Sequence, residues 1–338
     1  MTLRVLIPLA GLPLFASLLL LTSPAPAGEP APEGVKAPAA EKAFPPPGSR
    51  RVLFLGDSIT FAGHYVAMID ARLIQAHGKR HWQIVNLGLP SETCSGLSEP
   101  DHPYPRPNVH ERLDRALSKF KPDVVVACYG MNDGIYYPFS DQRFAAYQKG
   151  IDAIISKVKA AGAKLVLMTP PPFDPLPLKK KGKLRAADAD TFAWFAIYEN
   201  YDDVLTRYAD WIIGQSNRVE MVIDLHTPVA RYVANRRKQE PDFTMSPDGV
   251  HLNRGGHALI AKAILKAWGY KAPANDDEKL LKVVEQRELL LRNAWLSHVG
   301  HKRPGVKAGL ALDEANAKAA ELDRQIDAIV EGARPLER

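Results

Sequence analysis

Arg51-Val52-Leu53-Phe54-Leu55-Gly56-Asp57-Ser58-Ile59-Thr60 joins an apolar run to a helical pattern through Gly-Asp-Ser. It reads as a buried strand, a tight turn and a serine placed where strand gives way to helix. Such a serine lies at the carboxyl edge of a sheet, where open α/β folds bind ligands. Its hydroxyl is beside the first backbone N–H groups of a helix, which are unpaired and carry partial positive charge. A nucleophile there has oxyanion-stabilising groups close by. The remainder of the chain has to supply a base and further donors.

From this stretch outward, short apolar runs alternate with longer amphipathic ones. Strands are expected over 52–55, 83–87, 123–129, 164–169 and 219–225, with helices over 61–76, 110–120, 144–161 and 255–268 between and after them. That alternation predicts an α/β fold, with a parallel sheet covered by helices on both faces and right-handed crossovers. The segment 89–108 is long and dense in Pro, Ser and His, as a functional loop over the sheet edge would be. An insertion over about 173–212 begins Pro-rich and turns basic at Lys179, Lys180, Lys181, Lys183 and Arg185. A helix carrying Trp194, Phe195, Tyr198, Leu205, Tyr208 and Ile212 is expected to follow. Two readings compete: an aromatic lid, or a helix packed on the sheet with solvated lysines. The spacing is that of a core face and favours the second.

Residues 273–338 change in composition and predict an α-helical extension. Its two amphipathic helices, over 276–296 and 312–330, form a hairpin with Asn275 or Asp276 capping the first. Docking of this hairpin on the main domain, which spans 50–272, is favoured over a dimerisation arm. Oligomeric state is not legible.

Composition narrows the functional classes. The chain has 338 residues, of which 46% are hydrophobic and 24% charged, so it can bury a real core. A net charge of +6, with no basic arm interleaved with aromatics, argues against nucleic-acid binding. Arg4, the apolar run 5–21 and Ala25-Pro26-Ala27 predict a signal peptide over 1–27, cleaved after Ala27, and hence a secreted or periplasmic protein. The Pro/Ala-rich stretch 28–49 reads as a linker. No later stretch is long and apolar enough to span a bilayer. Of the two cysteines, Cys128 reads as a small buried side chain, and a Cys94–Cys128 bond is possible but not established by sequence.

Three further stretches end strands at the edge that carries Ser58: Gly88, Gly130-Met131-Asn132-Asp133, and the turn Ser246-Pro247-Asp248-Gly249-Val250-His251. Their residue types suit acyl transfer. A serine hydroxyl needs a base, and His251 can serve near neutral pH. Asp248, three residues earlier on a turn softened by Gly249, can hold the imidazole in one tautomer. Ser58 N–H, Gly88 N–H and the Asn132 side-chain amide are the available oxyanion donors.

Together and in this order, these blocks resemble the SGNH hydrolases, or GDSL esterase/lipase family. Gly56-Asp57-Ser58 matches the first block, Gly88 the second, Gly130-x-Asn132-Asp133 the third and Asp248-x-x-His251 the last. The resemblance covers 51 to about 270. It implies a flavodoxin-like three-layer α/β/α sandwich with five parallel strands, a Ser58–His251–Asp248 triad, an oxyanion hole of Ser58, Gly88 and Asn132, and no metal or other cofactor. It also implies an ester substrate, small or polysaccharide, and by looser analogy O-acetylated carbohydrate. A lipase or lysophospholipase is the rival enzyme, and a non-catalytic glycan-binding protein on a hydrolase fold the rival of another class.

Position alone nominates Glu92, Thr93 and Ser95 as pocket residues, because they follow Gly88 closely. Asp57 and His64 are added for their closeness to the nucleophile. Arg106 on the same loop and His110 just beyond it are weaker candidates.

Overall fold

The structure is a computed structural model that describes residues 44–271 and 277–332. The predicted signal peptide, most of the linker, Asn275 and Asp276 lie outside the described residues.

β1 (Arg51–Gly56) is the sheet's second strand, and its Val52, Leu53, Phe54 and Leu55 are fully buried. The chain then runs through α1 (Ser58–Phe61), α2 (His64–His77), β2 (Gln83–Asn86), a 3₁₀ turn at Val109–Glu111, α3 (Leu113–Phe120) and β3 (Val124–Cys128). Next come α4 (Asp141–Ala160), β4 (Lys164–Met168), α5 (Leu176–Lys179), β5 (Leu184–Arg185), β6 (Ile197–Tyr198) and α6 (Tyr201–Ile213). β7 (Met221–Ile223), α7 (His226–Arg237), α8 (Arg254–Ala267), α9 (Glu278–Val299) and α10 (Leu312–Gly332) complete it. The five-stranded sheet is parallel, in the order β2-β1-β3-β4-β7. β1 to β2 steps one way along the sheet and the later connections step the other. Right-handed crossovers therefore place α2 on one face and α3, α4 and α6 on the other. α8 returns to pack on α2. This is the three-layer α/β/α architecture, and its switch point lies between β1 and β3.

The helix expected over 61–76 is α2, and the one-turn α1 precedes it as a separate helix. Asp57 caps α1 by accepting from Ile59 N–H at 2.9 Å. Gly63, at φ +83°, turns the chain before α2 begins. A Cβ there would lie 2.4 Å from Glu288 Oε2 on α9, so that carboxylate would have to move aside.

The insertion departs from expectation at its start. Leu205, Tyr208 and Ile212 are buried on α6, as a core face demands, and Tyr208 stacks on Tyr147 at 4.3 Å between centroids. Trp194, Phe195 and Tyr198 are not on that helix. β5 pairs with β6, and Glu199 N–H donates to the Arg185 carbonyl, so the residues before Asn200 are held in extended and turn conformations. Trp194 and Phe195 are left 52% and 51% exposed. α7 was not expected at all. Its weak amphipathicity hides it, although Pro228 in the first turn is a helix-start signal.

α9 packs against α2 and the edge strand β2, and α10 packs along α9. Asp277 is the cap of α9, accepting from Leu280 N–H at 3.0 Å. Trp295 meets Phe120 edge to face at 5.1 Å, and Arg287 bonds Asp323 across the helix pair at 2.6 Å. Cys94 and Cys128 are both buried and free. Among the described residues no helix is long and apolar enough to cross a membrane.

Candidate active site

Ser58 is the first residue of α1, at the carboxyl end of β1. His251 and Asp248 lie on the turn before α8. That turn is closed by Gly249 N–H donating to the Ser246 carbonyl at 2.8 Å. Gly249 has φ +83°, and a Cβ there would lie 2.8 Å from the Phe173 ring, so the turn needs glycine on both counts. Asp174 N–H donates to the Gly249 carbonyl at 2.9 Å and ties the turn to the segment after β4.

The three side chains form a chain of hydrogen bonds. His251 Nε2 is 2.8 Å from Ser58 Oγ, and His251 Nδ1 is 2.7 Å from Asp248 Oδ2. The other Asp248 oxygen accepts from the N–H groups of Val250 (3.0 Å) and His251 (2.7 Å), so the carboxylate is aimed from both sides. With Nδ1–H donating to Asp248, Nε2 is left to accept the Ser58 proton.

Burial pushes the Asp248 carboxyl up, but the hydrogen bonds and charge of His251 outweigh it and hold the carboxyl at about 2. The hydrogen bond to Asp248 raises the His251 imidazole above its ordinary 6.5, against the opposing effect of burial.

Asn132 follows β3 and is buried. Its Oδ1 accepts from Arg106 Nη1 at 3.0 Å and from Tyr136 Oη at 2.9 Å, while Nδ2 donates to the Glu92 carbonyl at 3.1 Å. Two donors on one side and a carbonyl on the other fix which way the amide points. One Nδ2 hydrogen remains for a substrate.

The second expected donor is corrected. Gly88 N–H is committed to Asn86 Oδ1 at 2.8 Å, and Gly88 does not line the cleft. A Cβ at Gly88 would lie 2.3 Å from Phe61 N, so this glycine serves packing against α1. Ser91 takes the place at the cleft. It sits at φ +65°, lines the cleft with Ser58 and Asn132, and its N–H has no acceptor among the described residues.

A match to the GDSL-like Lipase/Acylhydrolase family runs over residues 54–259, more than half of the chain. The chain belongs to that family. By that membership it is a carboxylic ester hydrolase. This GDSL-family chain is also similar to solved structures. A gut microbial diltiazem-metabolizing enzyme matches at 20% identity and a TM-score of 0.54, over 68% of this chain and 49% of that one. The match thus spans about half the length of that protein. A Geobacillus acetyl-xylooligosaccharide esterase variant matches at 19% identity and a TM-score of 0.46, over 66% of this chain and 95% of that one. An acetyl xylan esterase matches at 21% identity and a TM-score of 0.43, over 64% and 98% respectively. No curated protein matches the sequence.

Ser58, Asn132, Asp248 and His251 share a cleft of about 460 Å³. Its walls include Ser91, His102, Tyr104 and Arg106 from the long loop, Lys183, Trp194 and Phe195 from the insertion, and Arg303 from the α9–α10 connection. The pocket candidates nominated by position lie elsewhere. Glu92 is buried in a two-bond ion pair with Arg112, both bonds at 2.6 Å, and also accepts from Tyr129 Oη. Thr93 is buried, and its hydroxyl donates to the Pro107 carbonyl at 3.4 Å. Ser95 N–H donates to Asp133 at 2.8 Å. His64 is turned to Glu285 at 3.3 Å. Asp57 is buried under the nucleophile as a helix cap, and burial raises its carboxyl to about 7. Glu92 and Asp133 organise the loop that presents Ser91 and Asn132, which is why they are buried and not lining. His110 is absent from the cleft walls, whereas Arg106 is on them, paired with Glu99 at 2.6 Å. Trp194 and Lys183 were set aside with the lid reading and Arg303 was not raised, because distant chain segments bring them in. Among the described residues no three His, Cys, Asp or Glu side chains are grouped to hold a metal ion.

Proposed function

We propose that this ester hydrolase is an exported serine esterase that removes O-acetyl groups from carbohydrate. The observation that carries the reading is the Ser58–His251–Asp248 chain, bonded at 2.8 and 2.7 Å in a cleft rimmed by exposed Trp194 and Phe195. Ser58 Oγ attacks the ester carbonyl carbon while His251 Nε2 takes its proton. The tetrahedral oxyanion is held by the N–H groups of Ser58 and Ser91 and by Asn132 Nδ2. The intermediate collapses, the sugar hydroxyl leaves with the proton from His251, and Ser58 keeps the acyl group. Water then attacks the acyl-enzyme, giving its proton to His251. Acetate leaves and Ser58 recovers its hydrogen.

The cations on the cleft wall support a sugar over a fatty acyl chain. Lys183 and Arg303 share its walls with His102, and covering these two cations with an alkyl chain would strip them of water without replacement. Trp194 and Phe195 lie edge to face at 5.4 Å and offer aromatic faces of the kind on which pyranose rings pack. Export rests on the signal-like features of residues 1–27.

Acetate release from a panel of acetylated polysaccharides, with Ser58→Ala as control, tests the reading. Turnover that survives Ser58→Ala removes the nucleophile assignment. A preference for acyl chains beyond about four carbons removes the acetylesterase reading, since each buried methylene adds roughly 0.8 kcal/mol.

A further inference from the structure

Resting on the carbohydrate-esterase reading, we propose that Arg303 and Lys183 form a subsite for an anionic group, a carboxylate or a sulfate, carried by the acetylated sugar.

The charges on the cleft walls do not cancel. Arg106 is neutralised by Glu99, with Nε–H and Nη2–H each donating to that carboxylate at 2.6 Å. Asp248 is engaged by His251. Arg303 and Lys183 remain, and among the described residues neither has a carboxylate within ion-pair distance. A solvated surface lysine alone would mean little. Arg303 is different because it is held in place. Its Nε–H donates to the Pro90 carbonyl at 3.3 Å, an Nη1–H donates to the Pro304 carbonyl, and its guanidinium lies 5.1 Å from the Tyr104 ring centroid. Those contacts use two of five N–H donors, so three remain for a ligand. Pro90 adjoins Ser91, which puts this fork beside the oxyanion donors. Lys183 arrives from another side. It directly precedes β5, and the pairing of Leu184 with Ile197 sets it on the wall shared with Trp194 and Phe195. A fixed planar fork, a mobile ammonium and an aromatic platform together suit an acidic sugar.

The test compares 3-O-acetylated methyl glucoside, methyl glucuronide and methyl glucoside 6-sulfate at low ionic strength. The expected result is a kcat/KM about tenfold higher for at least one anionic ester than for the neutral one. Its identity separates carboxylate from sulfate. Arg303→Gln and Lys183→Gln bring the ratio toward one, and Arg303→Lys retains part of it. Circular dichroism verifies folding of each variant. Equal or better use of the neutral ester, by protein that hydrolyses 4-nitrophenyl acetate, overturns the subsite. Failure on every ester, 4-nitrophenyl acetate included, would instead strike the esterase reading. Calorimetric binding of methyl glucuronide and of methyl glucoside 6-sulfate to Ser58→Ala protein then decides the subsite without turnover. Binding of either that weakens about tenfold in Ser58→Ala/Arg303→Gln upholds it, and no weakening of either rejects it.

Discussion

Arg106 Nη1 donates to Asn132 Oδ1 at 3.0 Å and also reaches the Ser91 carbonyl at 3.3 Å. One buried guanidinium thus orients the amide and the loop residue proposed to share the oxyanion. Arg106→Met should lower kcat more than it changes KM. It should also destabilise the fold by about 3–5 kcal/mol, because Glu99 is left buried and unpaired. Arg106→Met/Glu99→Leu should recover most of the stability without the kcat. Recovery of kcat in the double variant would show that Arg106 does not position Asn132.

The reassignment from Gly88 to Ser91 has its own signature. Ser91→Gly should be active, since glycine accepts φ +65° at no steric cost. Ser91→Val should lose most of its kcat, because a β-branched residue resists that conformation and would drag the N–H out of line. Asn132→Ala should cost about 10²–10³ in kcat, typical of a lost oxyanion donor. Steady-state kinetics on a soluble acetate ester read all three.

The acid limb of the pH profile should report His251. The base works only when neutral, and its bond to Asp248 raises the imidazole above 6.5. Activity should therefore fall as pH drops through a value above 6.5. Asp248→Asn removes the partner that favours the charged form, so the limb should move to lower pH while kcat falls, by up to on the order of 10⁴-fold. A limb unchanged in Asp248→Asn would contradict the assignment.

Asp57 predicts a pH-dependent stability. Its carboxyl is raised from 3.8 to about 7 in the folded protein. As pH rises from 4 to 7 the unfolded chain ionises freely and the folded one resists, so stability is lost across that window and stays lost above it. Asp57→Asn keeps an oxygen to accept from Ile59 N–H but cannot ionise. Its advantage over the parent in thermal unfolding should be larger at pH 8 than at pH 5, by at most about 3 kcal/mol. Equal differences at the two pH values would exclude a raised Asp57.

The sheet and the meeting of Ser58, His251 and Asp248 were legible because each of these residues opens or shortly precedes a helix after a strand, and all strand ends of a parallel sheet meet on one side. The second donor was misread for a physical reason. Gly88 lacks a Cβ and so looked like a site of close approach to substrate, but its partner in that approach is α1. The left-handed backbone at Ser91 leaves no trace in a serine. Glu92 and Ser95 were adjacent to the right place and turned inward, where burial and ion pairing decide orientation. Trp194, Lys183 and Arg303 are determined by tertiary pairings, β5 with β6 and the α9–α10 hairpin with the loop, which periodicity does not encode.

The seat of α1 has a consequence for timing. Arg292 donates to the Phe61 carbonyl and lies 4.0 Å over the Phe61 ring, while Asn86 bonds both the Thr60 carbonyl and Glu288 at 2.7 Å. The helix that opens at the nucleophile is thus finished by residues made more than two hundred positions later. A nascent chain carries Ser58 early but completes its support only once Glu288 and Arg292 have been made, so the hydrolase should stay inert until then. Ribosome-stalled chains ending before residue 280 should resist a fluorophosphonate probe that labels the full chain. Labelling of the short chains at the full rate would show that the nucleophile matures without its C-terminal brace.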